Sequence, residues 1–235
     1  TDMPKFPRLQ LVVTNAIIFA GVALPLARSE YLRRKLKQQR AASRQRLTLL
    51  VNQGASLGKR PELPALFELA TRTARDELGS ETASLFLYEE GLIRRKKIAG
   101  LDDAWFGEER YRPGEGITGQ VVPPPGTGRF GTPVRTNFAA TSADIVQDHL
   151  ARYRAALPSG RVAHLVAVPL HGPHHTFGVL RAVNKLTPDG EIDGDGFSQE
   201  DEDTLLAIAA LVALAVGAAR RDSTVQAVFE INRAL

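Results

Sequence analysis

The sequence predicts an α+β domain, in which helices pack on one face of an antiparallel sheet. Strand-like runs occur in two pairs, and a short turn separates the members of each pair. One helical pattern precedes the first pair and another follows the second. Runs of antiparallel strands with helices segregated at the ends are typical of this class. We also expect a long N-terminal helix before the domain and a long C-terminal helix after it.

The composition supports a folded domain and excludes cysteine chemistry. The chain has 235 residues, of which 43% are hydrophobic and 24% are charged. That balance is ordinary for globular proteins. There is no cysteine, which excludes disulfides, zinc–thiolate sites, iron–sulfur clusters and cysteine nucleophiles.

Positive charge is concentrated at the start of the chain. Residues 1–60 hold 12 Lys and Arg against 2 Asp and Glu, whereas residues 61–235 hold 18 against 24. The larger part is therefore mildly acidic, so we expect no nucleic-acid partner.

Residues 1–28 are expected to form an apolar N-terminal helix. Residues 9–27 carry no charge, and that length just reaches what a membrane span needs. Basic residues follow at once, which places the C-terminal side in the cytoplasm. We interpret 9–27 as a membrane anchor, with a buried dimer helix as the alternative.

Residues 29–57 are expected to form a basic linker helix, since they are rich in Leu, Arg, Lys, Gln and Ala. A partial apolar stripe favours pairing with the same helix of a second copy. A solvated helix is the alternative.

The first half of the domain reads as a helix followed by a hairpin. Apolar residues at spacings of three and four predict a helix over 61–78. Alternation over 83–89 predicts a half-buried strand, and 92–99 predicts its hairpin partner. Residues 100–160 read as loop-rich, with a short strand over 133–137 and a helix over 143–156.

The second half reads as another strand pair and a long helix. Strands are predicted over 164–170 and 177–184, with the turn HGPHHT between them. A polar loop follows over 186–196. An apolar helix begins near Gln199 and continues towards Leu235.

Other chemistry finds little support in the motifs. Three histidines in HGPHHT fit an exposed turn better than a metal site, because acidic partners are missing nearby. The glycines of GEGITG are too loose for a dinucleotide fingerprint, and no helix is expected to open on them. The acidic residues after Asp193 do not have EF-hand spacing. We identify no catalytic set.

Several motifs together resemble a GAF domain. They are Ser84-Leu-Phe-Leu-Tyr, GEGITGQV, HLVAVPL, FGVLRAVNK and FSQEDEDTLLAIA, in that order. The resemblance implies a GAF-like fold over 58–217 and a small-molecule sensor rather than an enzyme. It makes 218–235 a C-terminal linker, the signalling helix of such a domain.

A more specific motif of cyclic-nucleotide-binding GAF domains is also present. Its positions correspond here to Asn184, Lys185, Phe197, Asp201 and Glu202. Lys185 ends a strand and Asp201 opens a helix, so a Lys–Asp pair would tie the two together. The resemblance gives this pair a structural role.

The resemblance also implies a ligand pocket between the sheet and residues 137–160. Its candidate residues are Ser84, Ile117, Asn137, Phe138, Ala143 and Asp144. Cyclic AMP or cyclic GMP is the leading ligand. However, Val162 and Ala163 stand where nucleotide-binding relatives tend to have a hydroxyl residue and an arginine.

We therefore expect a cytoplasmic, membrane-associated sensor that acts as a parallel homodimer. Its terminal helices would carry the signal to a downstream output domain or partner protein. The alternative is a ligand-free GAF scaffold for dimerisation or docking in a membrane assembly.

Overall fold

The structure, a computed structural model, describes residues 45, 63–102, 108–124, 127, 129–137, 153 and 155–234. In the last helix it describes side chains as far as residue 221. All described residues belong to the second of the chain's two units, residues 43–235. The helices predicted over 1–28 and 29–57 lie outside the described residues, apart from the helical Gln45.

Six strands form one antiparallel sheet in the order β3-β2-β1-β6-β5-β4. The two predicted hairpins are β1–β2 and β5–β6, and β1 pairs with β6 at the centre of the sheet. In chain order the elements are α1 (Leu63–Leu78), β1 (Ser80–Glu89), β2 (Leu92–Ala99), β3 (Arg110–Tyr111), α2 (Gly116–Gln120), β4 (Val134–Thr136), β5 (Leu165–His171), β6 (Thr176–Lys185) and α3 (Gln199–Ala234).

The two long helices pack on one face of the sheet, as the sequence predicts. Alternate residues of the central strands point to this face because side chains of a strand alternate in direction. Ala83, Leu85 and Leu87 of β1 lie here against buried residues of α1 and α3. The predicted α+β architecture is therefore confirmed.

Helix α3 is apolar enough to cross a membrane by length and composition over Gln199–Arg221. Its inner side explains much of that hydropathy, because Leu205, Ile208 and Val212 are buried in the core on the sheet. Leu214 on the outer side is 54% exposed. The predicted anchor over 9–27 lies outside the described residues.

The opposite face of the sheet carries a second core. Phe86, Val179 and Val183 point to this face and pack with Ile117 and Tyr153, which come from outside the central strands. The prediction that the first strand is half-buried is wrong, because β1 is covered on both faces. Its alternation was identified correctly, but the short segments that cover the second face show no clear periodicity in the sequence.

The region expected to be loop-rich contains two short elements that the sequence analysis missed. Strand β3 adds two residues to the edge of the sheet. Helix α2 begins at Gly116, so the expectation that no helix opens on GEGITG is wrong. Gly114 and Gly116 have φ of +84° and +57°, a conformation that glycine adopts readily. These glycines shape the entry to a helix only five residues long.

Candidate functional site

The second core contains a fully buried arginine. Arg181 lies in the middle of β6, on the same face as Val179 and Val183. Its side chain is only 2% exposed. A buried charge is costly unless it is paired and hydrogen-bonded, so the surroundings of Arg181 define the candidate site.

Four oxygens accept hydrogen bonds from the two Nη atoms of Arg181. Nη1 donates to the Tyr111 hydroxyl at 2.9 Å and to Thr118 Oγ1 at 2.7 Å. Nη2 donates to Glu109 Oε1 at 2.9 Å and to the Tyr153 hydroxyl. Tyr111 belongs to β3 and Thr118 to α2, whereas Tyr153 is at a helical position and Glu109 lies just before β3. We call Arg181, Glu109, Tyr111, Thr118 and Tyr153 the arginine cluster.

The carboxylate of Glu109 is the counter-charge inside this cluster. Its side chain has no solvent exposure. Tyr111 and Tyr153 donate their hydroxyl protons to it, and Arg95 Nε lies 3.5 Å from Oε2. Burial would raise the pKa of Glu109, but Arg181 and the Tyr111 hydrogen bond outweigh burial and hold this pKa below its ordinary value. The buried carboxylate is therefore ionised.

The two tyrosines stay protonated and act as bridges. Burial, assisted by the charge of Glu109, raises the pKa of Tyr111 and of Tyr153 above the ordinary range. Each hydroxyl accepts from Arg181 and donates to Glu109. Such a chain of hydrogen bonds is mutually strengthening in a low-dielectric interior.

Aromatic rings surround the guanidinium. Arg181 Cζ lies 4.7 Å from the centre of the Phe86 ring, 5.1 Å from that of Tyr153 and 5.8 Å from that of Tyr111. Ring faces attract cations electrostatically. The site thus combines a fixed positive group with flat apolar walls, an arrangement that suits an organic anion.

The sequence analysis missed the arginine cluster, although one signal was available. Arg181 interrupts an otherwise apolar strand, since Val179, Leu180, Ala182 and Val183 flank it. Glu109 and Tyr111 carry no such signal, because they lie in a part of the chain without a clear period. Tyr153 lies in the helix predicted over 143–156, but nothing in the sequence indicates that it contacts Arg181.

Two predicted pocket residues lie beside the arginine cluster. Ser84 is directly opposite Arg181 in the pairing of β1 with β6. Ile117 is buried in the second core and precedes Thr118 in α2. Phe138, Ala143 and Asp144 lie outside the described residues.

Asn137 lies away from the arginine cluster and holds the segment that leads into α3. Its Nδ2 donates to the Phe197 carbonyl at 2.8 Å, and its Oδ1 accepts from the Phe197 amide at 3.0 Å. Arg135 Nη1 donates to the same carbonyl at 3.0 Å. The described contacts of Asn137 therefore fix the position of Phe197, which is buried in the first core.

Lys185 and Asp201 form the ion pair that the sequence motif predicts. Lys185 Nζ lies 2.6 Å from Asp201 Oδ1. Asp201 Oδ2 accepts from the Ser198 amide at 2.9 Å, and Ser198 Oγ accepts from the Asp201 amide at 3.2 Å. The latter two bonds form a capping box. Asp201 thus starts α3 and ties it to the end of β6.

Besides Phe197, the motif residues Glu202 and Asn184 also make structural contacts. Glu202 accepts from Arg135 Nε at 3.1 Å. Asn184 is fully buried with φ +54°. Its Oδ1 accepts from the amides of Ala163 and His164, and its Nδ2 donates to Glu81 Oε2. Asn184 therefore joins β6 to β1 and to the segment before β5.

That segment contains Val162 and Ala163, which stand where nucleotide-binding relatives tend to have a hydroxyl residue and an arginine. Val162 is partly buried against the second core, and the Ala163 amide is bound by Asn184 at 2.7 Å. Neither side chain offers a hydrogen bond to a ligand.

A polar cleft of about 830 Å³ lies outside the arginine cluster. Arg75, Glu81, Ser159, Arg161 and Glu191 are among its lining residues. The Glu81 carboxylate is already bound by Ser159 and Asn184. Of the predicted pocket residues that the structure describes, Ser84, Ile117 and Asn137, none lines this cleft.

Within the described part of the chain, no group of three or more His, Asp or Glu is arranged to hold a metal ion. His171 ends β5, and His174 and His175 lie in the turn before β6. His175 Nε2 lies 3.5 Å from Arg220 Nη1 of α3.

The family model of the GAF domain matches residues 61–217. The chain therefore belongs to the GAF domain family, whose members are generally regulatory sensor modules. No curated protein matches the sequence.

Several solved structures share the fold. The GAF domain of an Acinetobacter phosphoenolpyruvate-protein phosphotransferase aligns with TM-score 0.56 at 16% identity, over 79% of this chain and 98% of that one. The corresponding domain from Coxiella burnetii gives TM-score 0.55 at 18% identity, over 76% and 96%. The free methionine-R-sulfoxide reductase of Neisseria meningitidis, in complex with its substrate, gives TM-score 0.53 at 16% identity, over 78% and 93%. At these identities the likeness concerns the fold alone, and it includes an enzyme.

Proposed function

We propose that this chain is a regulatory sensor that binds a small anionic molecule on the face of the sheet that carries Arg181. Cyclic AMP and cyclic GMP are the leading ligands, because the Asn184–Lys185 motif resembles that of nucleotide-binding members and because both carry a phosphate. The proposal assigns no catalytic step to this chain.

The buried arginine cluster carries the proposal. The stability of the fold does not require a buried ion pair here, since replacing such a pair by hydrophobic residues of similar volume is often neutral or stabilising. Here a guanidinium, a carboxylate and two tyrosine hydroxyls occupy the interior of one face. Charge held in a dry site between aromatic walls is suited to recognising an oppositely charged group.

A direct mechanical route leads from this site to the last helix. Arg181 and Lys185 lie on the same strand, and Lys185 is paired with Asp201 in the first turn of α3. A ligand that shifts β6 would therefore act on the start of α3, which is 36 residues long. Such a ligand transmits a signal only if it prefers one helix arrangement over the other.

We further propose that the chain acts as a parallel homodimer through its terminal helices. The outer side of α3 carries three exposed apolar residues, Ala207, Ala210 and Leu214. This apolar surface supports pairing of α3 with the same helix of a second copy. Residues 9–27 would tether the dimer to a membrane with the domain in the cytoplasm. An output domain or partner protein would read the arrangement of the helices.

One observation favours the ligand-free scaffold as a second candidate. Both Nη atoms of Arg181 already have protein partners, so the domain can fill this face by itself. A scaffold would bind no small molecule and would depend on residues 1–28 for its assembly.

The test is a titration of the full chain, kept in a non-ionic detergent, with cyclic AMP, cyclic GMP and a panel of small carboxylic acids. A sensor gives saturable heat in calorimetry and slower hydrogen exchange over 137–160. At one hundred times Kd a ligand adds about 2.7 kcal/mol to the free energy of unfolding. If no compound stabilises the folded chain and deleting residues 1–28 abolishes its assembly, the scaffold is correct.

A further inference from the structure

The N–H donors of the Arg181 guanidinium do not all have acceptors among the described residues. A guanidinium has five N–H donors, one on Nε and two on each Nη atom. Nη1 and Nη2 each have two protein acceptors. Among the described residues Nε has none, although it is buried. An orphaned donor on a buried charged group is costly.

The orphaned Nε–H lies on one of the guanidinium edges that bind oxyanions with two N–H groups. Carboxylates and phosphates bind arginine most strongly through two parallel N–H···O bonds, and Nε with Nη2 forms one such edge. Nη2 donates to one oxygen of Glu109, Oε1, and to the Tyr153 hydroxyl, so Glu109 does not bind Nε and Nη2 together. Its other oxygen is turned to Tyr153 and Arg95.

We propose that Arg181 is an oxyanion-binding site and that Glu109 is an internal stand-in, which the carboxylate or phosphate of a ligand displaces. A ligand oxyanion on Nε and Nη2 fills the donor that Glu109 leaves empty. The displacement of Glu109 by a natural ligand rests on the proposed sensor function. The capacity of Arg181 to bind an oxyanion does not.

The surroundings of Glu109 make the exchange feasible. A displaced carboxylate left without partners would oppose ligand binding strongly. Glu109 also has Arg95 Nε at 3.5 Å and accepts the Tyr111 hydroxyl proton. It can therefore leave Nη2 and remain next to a positive charge.

The experiment removes the stand-in and offers simple anions in its place. Glu109→Ala and Glu109→Gln are made in the full chain, with Glu108→Gln as the matched control. Glu108 is the neighbouring carboxylate, but it is 62% exposed and paired with Arg94. Thermal unfolding and calorimetry are recorded with sodium acetate and, separately, with inorganic phosphate at constant ionic strength.

We expect acetate or phosphate to stabilise both Glu109 variants saturably, with Kd at least tenfold lower than in the parent and the control. Glu109→Gln carries the test if Glu109→Ala does not fold. The better of the two anions identifies the ligand group as carboxylate or phosphate. Adding Arg181→Lys should abolish the effect, because lysine lacks the bidentate edge.

Equal anion response in the Glu109 variants, the parent and the control overturns the inference, whatever else the parent binds. So does a parent ligand whose Kd is unchanged by Glu109→Gln. If the Glu109 variants bind the anions but the parent binds no compound of the panel, the sensor function fails. The oxyanion site at Arg181 then stands.

Discussion

The strength of the Arg181–Glu109 pair is the quantity that the structure predicts most sharply. Glu109→Gln keeps the size of the side chain but leaves the buried guanidinium without its nearest counter-charge, at 2.9 Å. Removing one partner of a buried pair costs about 3–5 kcal/mol. A domain of this size loses roughly 2–4 °C of Tm per kcal/mol, so the variant should melt about 6–20 °C lower.

A double-mutant cycle separates the pair from its surroundings. Arg181→Met should also destabilise the chain, because Glu109 then loses Arg181. The double variant should lose about 2–3 kcal/mol less than the sum of the single losses, since no unbalanced charge from the pair remains. Circular dichroism melts of the full chain in non-ionic detergent measure all four proteins.

The chain provides a matched surface pair for comparison. Arg94 Nη1 and Glu108 Oε1 also lie 2.9 Å apart, but their side chains are 30% and 62% exposed. Their cycle, with Arg94→Met and Glu108→Gln, should give about 0–1 kcal/mol. If the buried pair is additive within about 0.5 kcal/mol, the reasoning about the arginine cluster is refuted.

Three further predictions concern the frame around the site. Asp201→Ala should lower the free energy of unfolding by about 1–2 kcal/mol, because it removes the capping box and the ion pair at the start of α3. Glu200→Ala, at the neighbouring exposed carboxylate, should change the melting temperature little. Equal effects of the two substitutions would contradict the capping role of Asp201. Gly178→Ala should lower the free energy of unfolding by about 3 kcal/mol or more, because an added Cβ overlaps a backbone carbonyl oxygen of β1. Chemical or thermal unfolding measures the loss. Gly194→Ala is the control, since a Cβ added there meets nothing within 4 Å. Burial lowers the pKa of His164 in the folded chain, so His164 is protonated more readily in the unfolded chain and stability should fall as the pH drops below about 6.5. His164→Gln should reduce the dependence of Tm on pH between about 7.5 and 5. An unchanged dependence would show that His164 does not contribute.

Periodicity allowed most of the fold to be predicted from the sequence. Ala83, Leu85 and Leu87 alternate, and the residues of α3 recur at helical spacing, so the elements of the first core were identified. The Lys185–Asp201 contact was also predicted, but from the resemblance to a GAF motif, in which one residue ends a strand and the other opens a helix. The elements of the first core depend on patterns that repeat locally along the chain, whereas this contact depends on the motif.

The second face could not be predicted in the same way. Its cover comes from short elements such as α2 and β3, which are too brief to show a period. The arginine cluster joins residues up to 72 positions apart, as in the bond from Arg181 to Glu109. A charge inside an apolar strand signals that a partner exists, but the spacing of the sequence does not say which residue it is.

The central claim is that a ligand oxyanion binds to the Arg181 guanidinium, and arginine side-chain NMR tests it most directly. The Nε–H resonance of Arg181, assigned by its loss in Arg181→Lys, is followed in the full chain during titration with cyclic AMP, cyclic GMP and succinate. The account predicts that one of these compounds shifts this resonance saturably and slows its exchange with water, because Nε gains an acceptor. A resonance that stays in place at saturating concentrations of all three would contradict the claim.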